Sequence, residues 1–446
     1  MRNQIILFVF AITQFLCLSE QKIIEINKKN LLLPTKDIFY LQREHTYGSK
    51  FMSFGKLIND GKSKQEMYHN RNGFILLGIN DTGDKFSIYD ETSGNIILVN
   101  NFSEYLLFNQ KIEYTDPMLG FYLSIMNSGF SDDYYVISVA DQEELVLKIF
   151  DLYGNLIKQY QNFVFSGLFF DSKEIVCLQV DYKPMYRFKN IGLCNLESGT
   201  YNKLADMQYG DMFFDYGNTK YFTRPPFFSP QKDVLYYYDG SNLKSVKINN
   251  GLSNLIHSGI GRLFAQAPLS NNIILVLDED TGGGPLYVYN LSKKGRKVAD
   301  KVMRYMISQK GNIVIYETQV STSMRNLYLY DLTTGNHILL EYNAYYSNIF
   351  SSNEDDITYV KYTDNFNLGG ELKVYNINSK RYNNMDTGVK TLMLIQDDST
   401  IYYTKDFSYD EQNGTSTLYK IKLNGSGNEL LQQLGDGFFD LFILPK

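Results

Sequence analysis

The sequence predicts an all-β fold, a single β-propeller of eight four-stranded blades, with seven blades as the alternative. Three observations predict it. A segment ending in a characteristic turn recurs along the chain. Short, nearly continuous apolar runs lie between its copies. No useful stretch of 3.6-residue periodicity follows residue 22. Composition agrees: aromatic residues reach 15%, all of it Tyr (37) and Phe (30), with no Trp. Such rings pack well on pleated, half-buried strands. With 44% apolar and 21% charged residues, the 446-residue chain can bury a core.

The clearest copy reads NLYLYDLTTGNHILL (326–340). Related segments begin at Lys85, Val146, Asn190, Asn242, Pro285, Glu371 and Thr417, giving eight copies. The residue after the aromatic or apolar position is Asp90, Asp151, Asn195, Lys247, Asn290, Asp331, Asn376 or Lys422. These recur at roughly 40–50 residues, the period of a propeller blade. The first interval is longer, and this is what keeps seven blades, with one copy outside the ring, as the alternative. Asp or Asn followed by x-x-[Ser/Thr]-Gly suits a tight hairpin: the side chain caps the turn backbone and Gly takes the positive φ.

Before each copy comes an apolar run such as NGFILLGIN, KEIVCLQVD or GNIVIYETQ, fit for a strand covered on both faces. A weaker strand usually precedes that, as in FVFSGLFF or KVMRYMI, making about four strands per copy. The last strand, GFFDLFILPK, is expected to join the first blade beside residues 47–59 and close the ring. Closure protects sheet edges that an open stack would expose.

Residues 1–19 are expected to be a signal peptide and 20–446 the propeller domain. Arg2 precedes an apolar run from Ile5 to Leu18, and Cys17 and Ser19 supply small residues before a cleavage site. An uncleaved anchor is the alternative. The expected location is the secretory pathway, secreted or lumenal. There Cys177 and Cys194, on neighbouring predicted strands, could form a disulfide or remain two buried thiols. Asn-x-Ser/Thr sequons at Asn80, Asn101, Asn290, Asn413 and Asn424 offer glycosylation sites.

The net charge of −6 argues against a nucleic-acid binder, which needs a basic stripe to neutralise phosphates. His45, His69, His257 and His337 are not spaced as metal ligands, and no cofactor motif occurs. DEDTGGGP (278–285) gathers carboxylates that could take calcium, though without the spacing of a known calcium loop.

The stretch FFSPQKDVLYYYDGSNLKSVKINNG (227–251) resembles a repeat of the TolB or dipeptidyl-peptidase-IV-type propellers. Those repeats place Ser-Pro before the second strand, here Ser229-Pro230, and an aromatic-Asp-x-x-x-Gly after the third, matched in YDETSG and YDLTTG. The resemblance lies in the blade pattern and is shared with WD-repeat-like propellers. It departs from the peptidases of that family, for the chain has no Gly-x-Ser-x-Gly nucleophile elbow.

An Asp follows the second predicted strand of most copies: Asp81, Asp141, Asp181, Asp239, Asp278, Asp364 and Asp406, with Asp280 beside Asp278. If those loops share one face, they form an acidic rim able to attract a basic partner. Asp also starts turns well, which explains the same pattern without a partner. The functional expectation is a binding module for a protein or glycan, with no catalysis. The alternative is a hydrolase with carboxylates from several blades at the central channel.

Overall fold

Alternating apolar and polar residues, punctuated by Asn, Asp and Gly, build strands almost everywhere in the computed structural model. It describes residues 34–445 except 47–48, 59–60, 71–72, 110–124, 142–143, 182–186, 212–225, 240–241, 259–262, 267–272, 278–282, 291–292, 309–310, 322–323, 351–354, 363–368, 397–398, 411–412 and 435–437. The expected signal peptide at 1–19 therefore lies outside the described residues. No helix among the described residues is long and apolar enough to cross a membrane.

Five sheets of four strands stand alone. The chain begins with β1 (Pro34–Thr46), β2 (Ser49–Ile58) and β3 (Ser63–Asn70). Next come β4 (Phe74–Ile79), β5 (Lys85–Asp90), β6 (Asn95–Asn100) and β7 (Ser103–Asn109). The third group is β8 (Ile125–Phe130), β9 (Tyr134–Asp141), β10 (Glu144–Asp151) and β11 (Leu156–Gln161). The fourth is β12 (Phe163–Phe169), β13 (Glu174–Asp181), β14 (Arg187–Asn195) and β15 (Tyr201–Asp211). The fifth is β16 (Phe227–Phe228), β17 (Val234–Asp239), β18 (Asn242–Lys247) and β19 (Ser253–His257).

A thirteen-stranded sheet follows. It runs through β20 (Leu263–Gln266), β21 (Ile273–Leu277), β22 (Gly284–Asn290), β23 (Lys293–Ile307), β24 (Ile313–Gln319) and β25 (Arg325–Asp331). It continues through β26 (His337–Phe350), β27 (Asp356–Tyr362), β28 (Gly370–Asn376), β29 (Arg381–Gln396), β30 (Thr400–Asp410), β31 (Asn413–Lys422) and β32 (Glu429–Leu434). Its long strands β23, β26 and β29 change partners midway. Residues up to Val302 of β23 pair with β22, and those from Val302 on pair with β24. The sheet therefore divides into four more four-stranded units, in which the outer strand of one continues as the inner strand of the next.

The final strand, β33 (Phe438–Pro445), returns to β1 and completes the first sheet in the order β3-β2-β1-β33. Leu441 stands opposite Tyr40 in this register. GFFDLFILPK does return to the N-terminal strands as expected, but its partner is β1 rather than residues 47–59, which contain β2 one strand farther out.

Each seam between neighbours holds its own apolar cluster. Phe54 and Phe86 meet edge to face at 4.8 Å between the first and second sheets. Leu98 and Tyr135 fill the next seam, Phe165 and Cys177 the one after, and Leu204 and Tyr237 the fourth. Farther on, Leu329 packs with Tyr359, and Val360 with Tyr403. Tyr40, Leu57, Tyr402 and Leu418 seal the last unit against the first sheet. Burial at these seams is the main source of stability, at about 1.5–3 kcal/mol per large apolar side chain. The first strands face the axis: β4 packs on β8, and β8 on β12. This is the all-β propeller expected.

The expectation of eight separate blades is not borne out. Copies of the turn cannot reveal the sheet built from the two chain ends, because the β2–β3 connection carries none. The copies in the C-terminal part also merge into one continuous sheet. The copy at Lys85 is displaced by one strand as well. Its Asp90 turn joins the second and third strands of its sheet, whereas those of Asp151, Asn195 and Asp331 join the third and fourth. The long first interval has this cause.

The turns are capped as their composition predicts. Asp331 Oδ1 accepts from the Thr333 and Thr334 amides at 2.8 and 3.2 Å. Gly335, at φ 77°, donates its amide to the Asp331 carbonyl at 2.8 Å. The turn is then tied back to its own sheet: the Leu332 amide donates to the Asn312 carbonyl at 2.8 Å, and Ile377 to Asp355 likewise.

Candidate functional site

Strand direction alternates within a sheet, so loops after first and third strands emerge on one face and loops after second strands on the other. This rule separates the expected rim residues. Asp81 follows β4, a first strand. Asp141 and Asp181 end the second strands β9 and β13 and lie on the opposite face. Asp239 ends β17, is fully buried and pairs with Lys244. Asp406 lies within β30, which runs on to Asp410, so it does not occupy a loop. Asp278, Asp280 and Asp364 lie outside the described residues, as does most of the DEDTGGGP loop. Among the described residues, these carboxylates are thus not brought together.

A different acidic group does form. The loop after β4 carries Asp81 and Asp84, and the corresponding loop after β8 in the next sheet carries the exposed Asp132 and Asp133. Asp84 is held by its own loop: Asn80 Nδ2 donates to it at 2.7 Å, as does the Thr82 hydroxyl. Burial pushes the Asp84 carboxyl up, but these bonds outweigh it and hold the group below its ordinary value. Asp81 behaves oppositely. Burial pushes its carboxyl up, and the charge of Asp132 pushes it further. The loops of neighbouring sheets thus carry like charges that act on each other, and no ion pair to Asp81 or Asp132 forms among the described residues. Asp132 was not legible as Asp81's partner, since nothing in the sequence says that these two loops adjoin.

The buried carboxylates serve the seams. Glu341, on β26, accepts from Lys361 at 2.8 Å, from Tyr359 at 3.1 Å and from Lys373. Asp386, one repeat later on β29, accepts from Lys405 at 2.6 Å and from Tyr403 at 2.5 Å. Burial raises both carboxyls, yet the lysine hydrogen bonds prevail and hold them below their ordinary values. Glu317, 1% exposed, binds Arg325 at 2.7 Å. The sequence signal for these pairs is a Lys inside a Tyr-rich strand, as in ITYVKY and IYYTKD, where a wholly apolar run is expected.

The remaining candidates are dispersed. Cys177 and Cys194 are buried free thiols on β13 and β14, and they are diagonal neighbours: Cys177 opposes Gly192, and Cys194 opposes Ile175. Burial pushes the Cys177 thiol well up, and its contact with Cys194 adds to this. His337 Nδ1 meets the Tyr316 hydroxyl at 2.8 Å, and burial, then Arg296, lower its basicity. His257 contacts the Tyr289 hydroxyl. Among the described residues, no three His, Cys, Asp or Glu side chains are grouped to hold a metal ion. Of the sequons, Asn101 and Asn424 are exposed in turns, while Asn80 spends its amide on Thr82 and Asp84. Asn290 ends β22 and Asn413 begins β31, and their side chains lie outside the described set.

No protein-family model and no curated protein matches the chain. Among solved structures it is similar to a putative TolB from Agrobacterium tumefaciens, at 11% identity and TM-score 0.31 over 57% of this chain and 97% of that one. It is also similar to a prolyl endopeptidase, at 11% identity and TM-score 0.39, covering 89% of this chain but only 56% of that one. An oligogalacturonate lyase in complex with manganese aligns at 13% identity and TM-score 0.38, over 82% and 92% of the two chains. The resemblance to TolB and the prolyl endopeptidases is one of fold alone.

Proposed function

We propose that the protein is a secreted or lumenal propeller that binds a protein or glycan ligand through a loop face and performs no chemistry of its own. The observation that carries this reading is that corresponding loops of two neighbouring sheets carry carboxylates on one face, Asp81 and Asp84 after β4 and the exposed Asp132 and Asp133 after β8. Unbalanced carboxylates at a loop face favour a basic ligand, whose approach relieves their repulsion and is screened by salt.

The buried carboxylates support binding over hydrolysis. Asp239 and Glu317 pair with Lys244 and Arg325, and the lysines at Glu341 and Asp386 hold those two carboxyls below their ordinary values. A general acid needs the reverse, a carboxyl whose proton is retained near neutral pH.

The test is affinity capture from a secretory fraction, using the wild type and an Asp81→Asn, Asp132→Asn double variant, with mass spectrometry of the retained partners. A basic ligand held by the wild type, released by salt and lost in the variant is expected. Equal retention by both proteins would overturn the reading.

A further inference from the structure

The turn between β6 and β7 consists of Asn101 and Phe102, and both have left-handed backbones, with φ at 47° and 66°. Asn tolerates this conformation through its short polar side chain, but a bulky residue does not adopt it without strain. The strain at Phe102 is not offset by burial, for its side chain is 68% exposed. On the same face the turn after β10 displays Tyr153, 67% exposed. The two turns are tied together: Asn100 Nδ2 donates to the Leu152 carbonyl at 3.0 Å. Tyr153 stands edge-on to Tyr105 at 6.3 Å, and Leu156 beside it is 51% exposed. Neighbouring blades thus hold an aromatic patch out to solvent, and such patches on soluble proteins usually have something to cover them.

What covers this one is named by the residue next to it. Asn101-Phe102-Ser103 is a glycosylation sequon, and the Asn101 side chain is itself exposed, its Nδ2 donating to Asn100 Oδ1 at 3.1 Å. We propose that Asn101 carries an N-linked glycan whose first sugar lies over Phe102 and Tyr153. A pyranose ring presents a face of C–H groups that packs on aromatic rings, while its hydroxyls and acetamide stay in water. Attachment forms a bond from Asn101 Nδ2 to the anomeric carbon of a lipid-linked sugar diphosphate. The C–O bond to the diphosphate breaks, one amide proton is lost and no electrons are transferred. This inference rests on the secretory location proposed above.

Asn424 provides an internal comparison. It is exposed in the turn Asn424-Gly425-Ser426, where the Ser426 hydroxyl donates to its Oδ1 at 2.7 Å, and its neighbour is a glycine rather than an aromatic ring. Loss of a glycan there uncovers no comparable patch.

The experiment is expression of the full chain in a eukaryotic secretory host, followed by glycopeptide mapping and apolar-dye binding. The expected result is occupied Asn101, with dye binding raised several-fold by Asn101→Gln or by enzymatic removal of the glycan, and unchanged by Asn424→Gln. A Phe102→Ser, Tyr153→Ser double variant should abolish that rise while leaving Asn101 occupied. An unmodified Asn101 in a chain that has lost its N-terminal segment overturns the inference and leaves the secretory reading standing. Retention of that segment, with every sequon bare, overturns both. Occupied Asn101 with unchanged dye binding after deglycosylation overturns the covering role.

Discussion

The Tyr403 hydroxyl donates to Asp386 at 2.5 Å across a seam between neighbouring blades. One repeat earlier Tyr359 makes the same bond to Glu341 at 3.1 Å. A lysine two residues further on completes each site, Lys405 in one and Lys361 in the other. A buried anion is thus matched by a cation and a hydroxyl from the next blade, which sets the relative height of the two sheets as well as their contact.

Removing one partner of such a pair strands the other. Asp386→Ala is expected to cost about 3–5 kcal/mol, measured by denaturant unfolding. The pH dependence follows from the folded carboxyl lying below its ordinary value of 3.8. The stabilisation is fully present above that value and is lost as pH falls through the lower, folded value. The wild type should therefore lose stability under strongly acidic conditions, and Asp386→Ala should lose less.

Asp81 has the opposite sign. Its carboxyl is raised in the folded state, so its contribution favours folding at acidic pH and is lost as pH rises through the folded value. Asp81→Asn should leave the protein slightly more stable at neutral pH, by an amount that shrinks with added salt. Unfolding midpoints at low and high ionic strength check this. A clear loss of stability would show that the carboxylate has a favourable partner.

Deleting residues 438–446 removes β33 from the closing sheet and uncovers Tyr40 and Leu57. The expected outcome is a lower unfolding midpoint and a broader transition, because the two ends of the ring are no longer joined. Calorimetry of the truncated chain measures both.

Cys177 and Cys194 should resist a thiol reagent in the native protein, since both are buried. In a chain lacking residues 1–19, complete unfolding should release two reactive thiols. If none appears, the pair is bonded.

Much of the fold was legible because its punctuation is local. Asp331, Thr333 and Gly335 make a turn from their own side chains and backbone, so spacing alone finds it. The count of eight separate blades failed because long strands such as β23 change partners midway and merge the C-terminal copies into one sheet, which no turn motif marks. The register of the Lys85 copy was also hidden: a capped hairpin turn is the same whether it links strands two and three or strands three and four. For the site, an Asp at a strand end marks a turn wherever it occurs, so the pattern could not tell Asp239, buried on Lys244, from Asp81, set against Asp132. Glu341 and Asp386 were missed because their partners lie on the following blade.

The pairing of β1 with β33 places Pro34 opposite Pro445. Whatever is attached ahead of the first strand and behind the last therefore leaves the molecule at one corner. A ring immobilised by either end hangs from the same point, and a donor and acceptor dye placed at the two ends would report an intact circle by energy transfer and its opening by the loss of that signal.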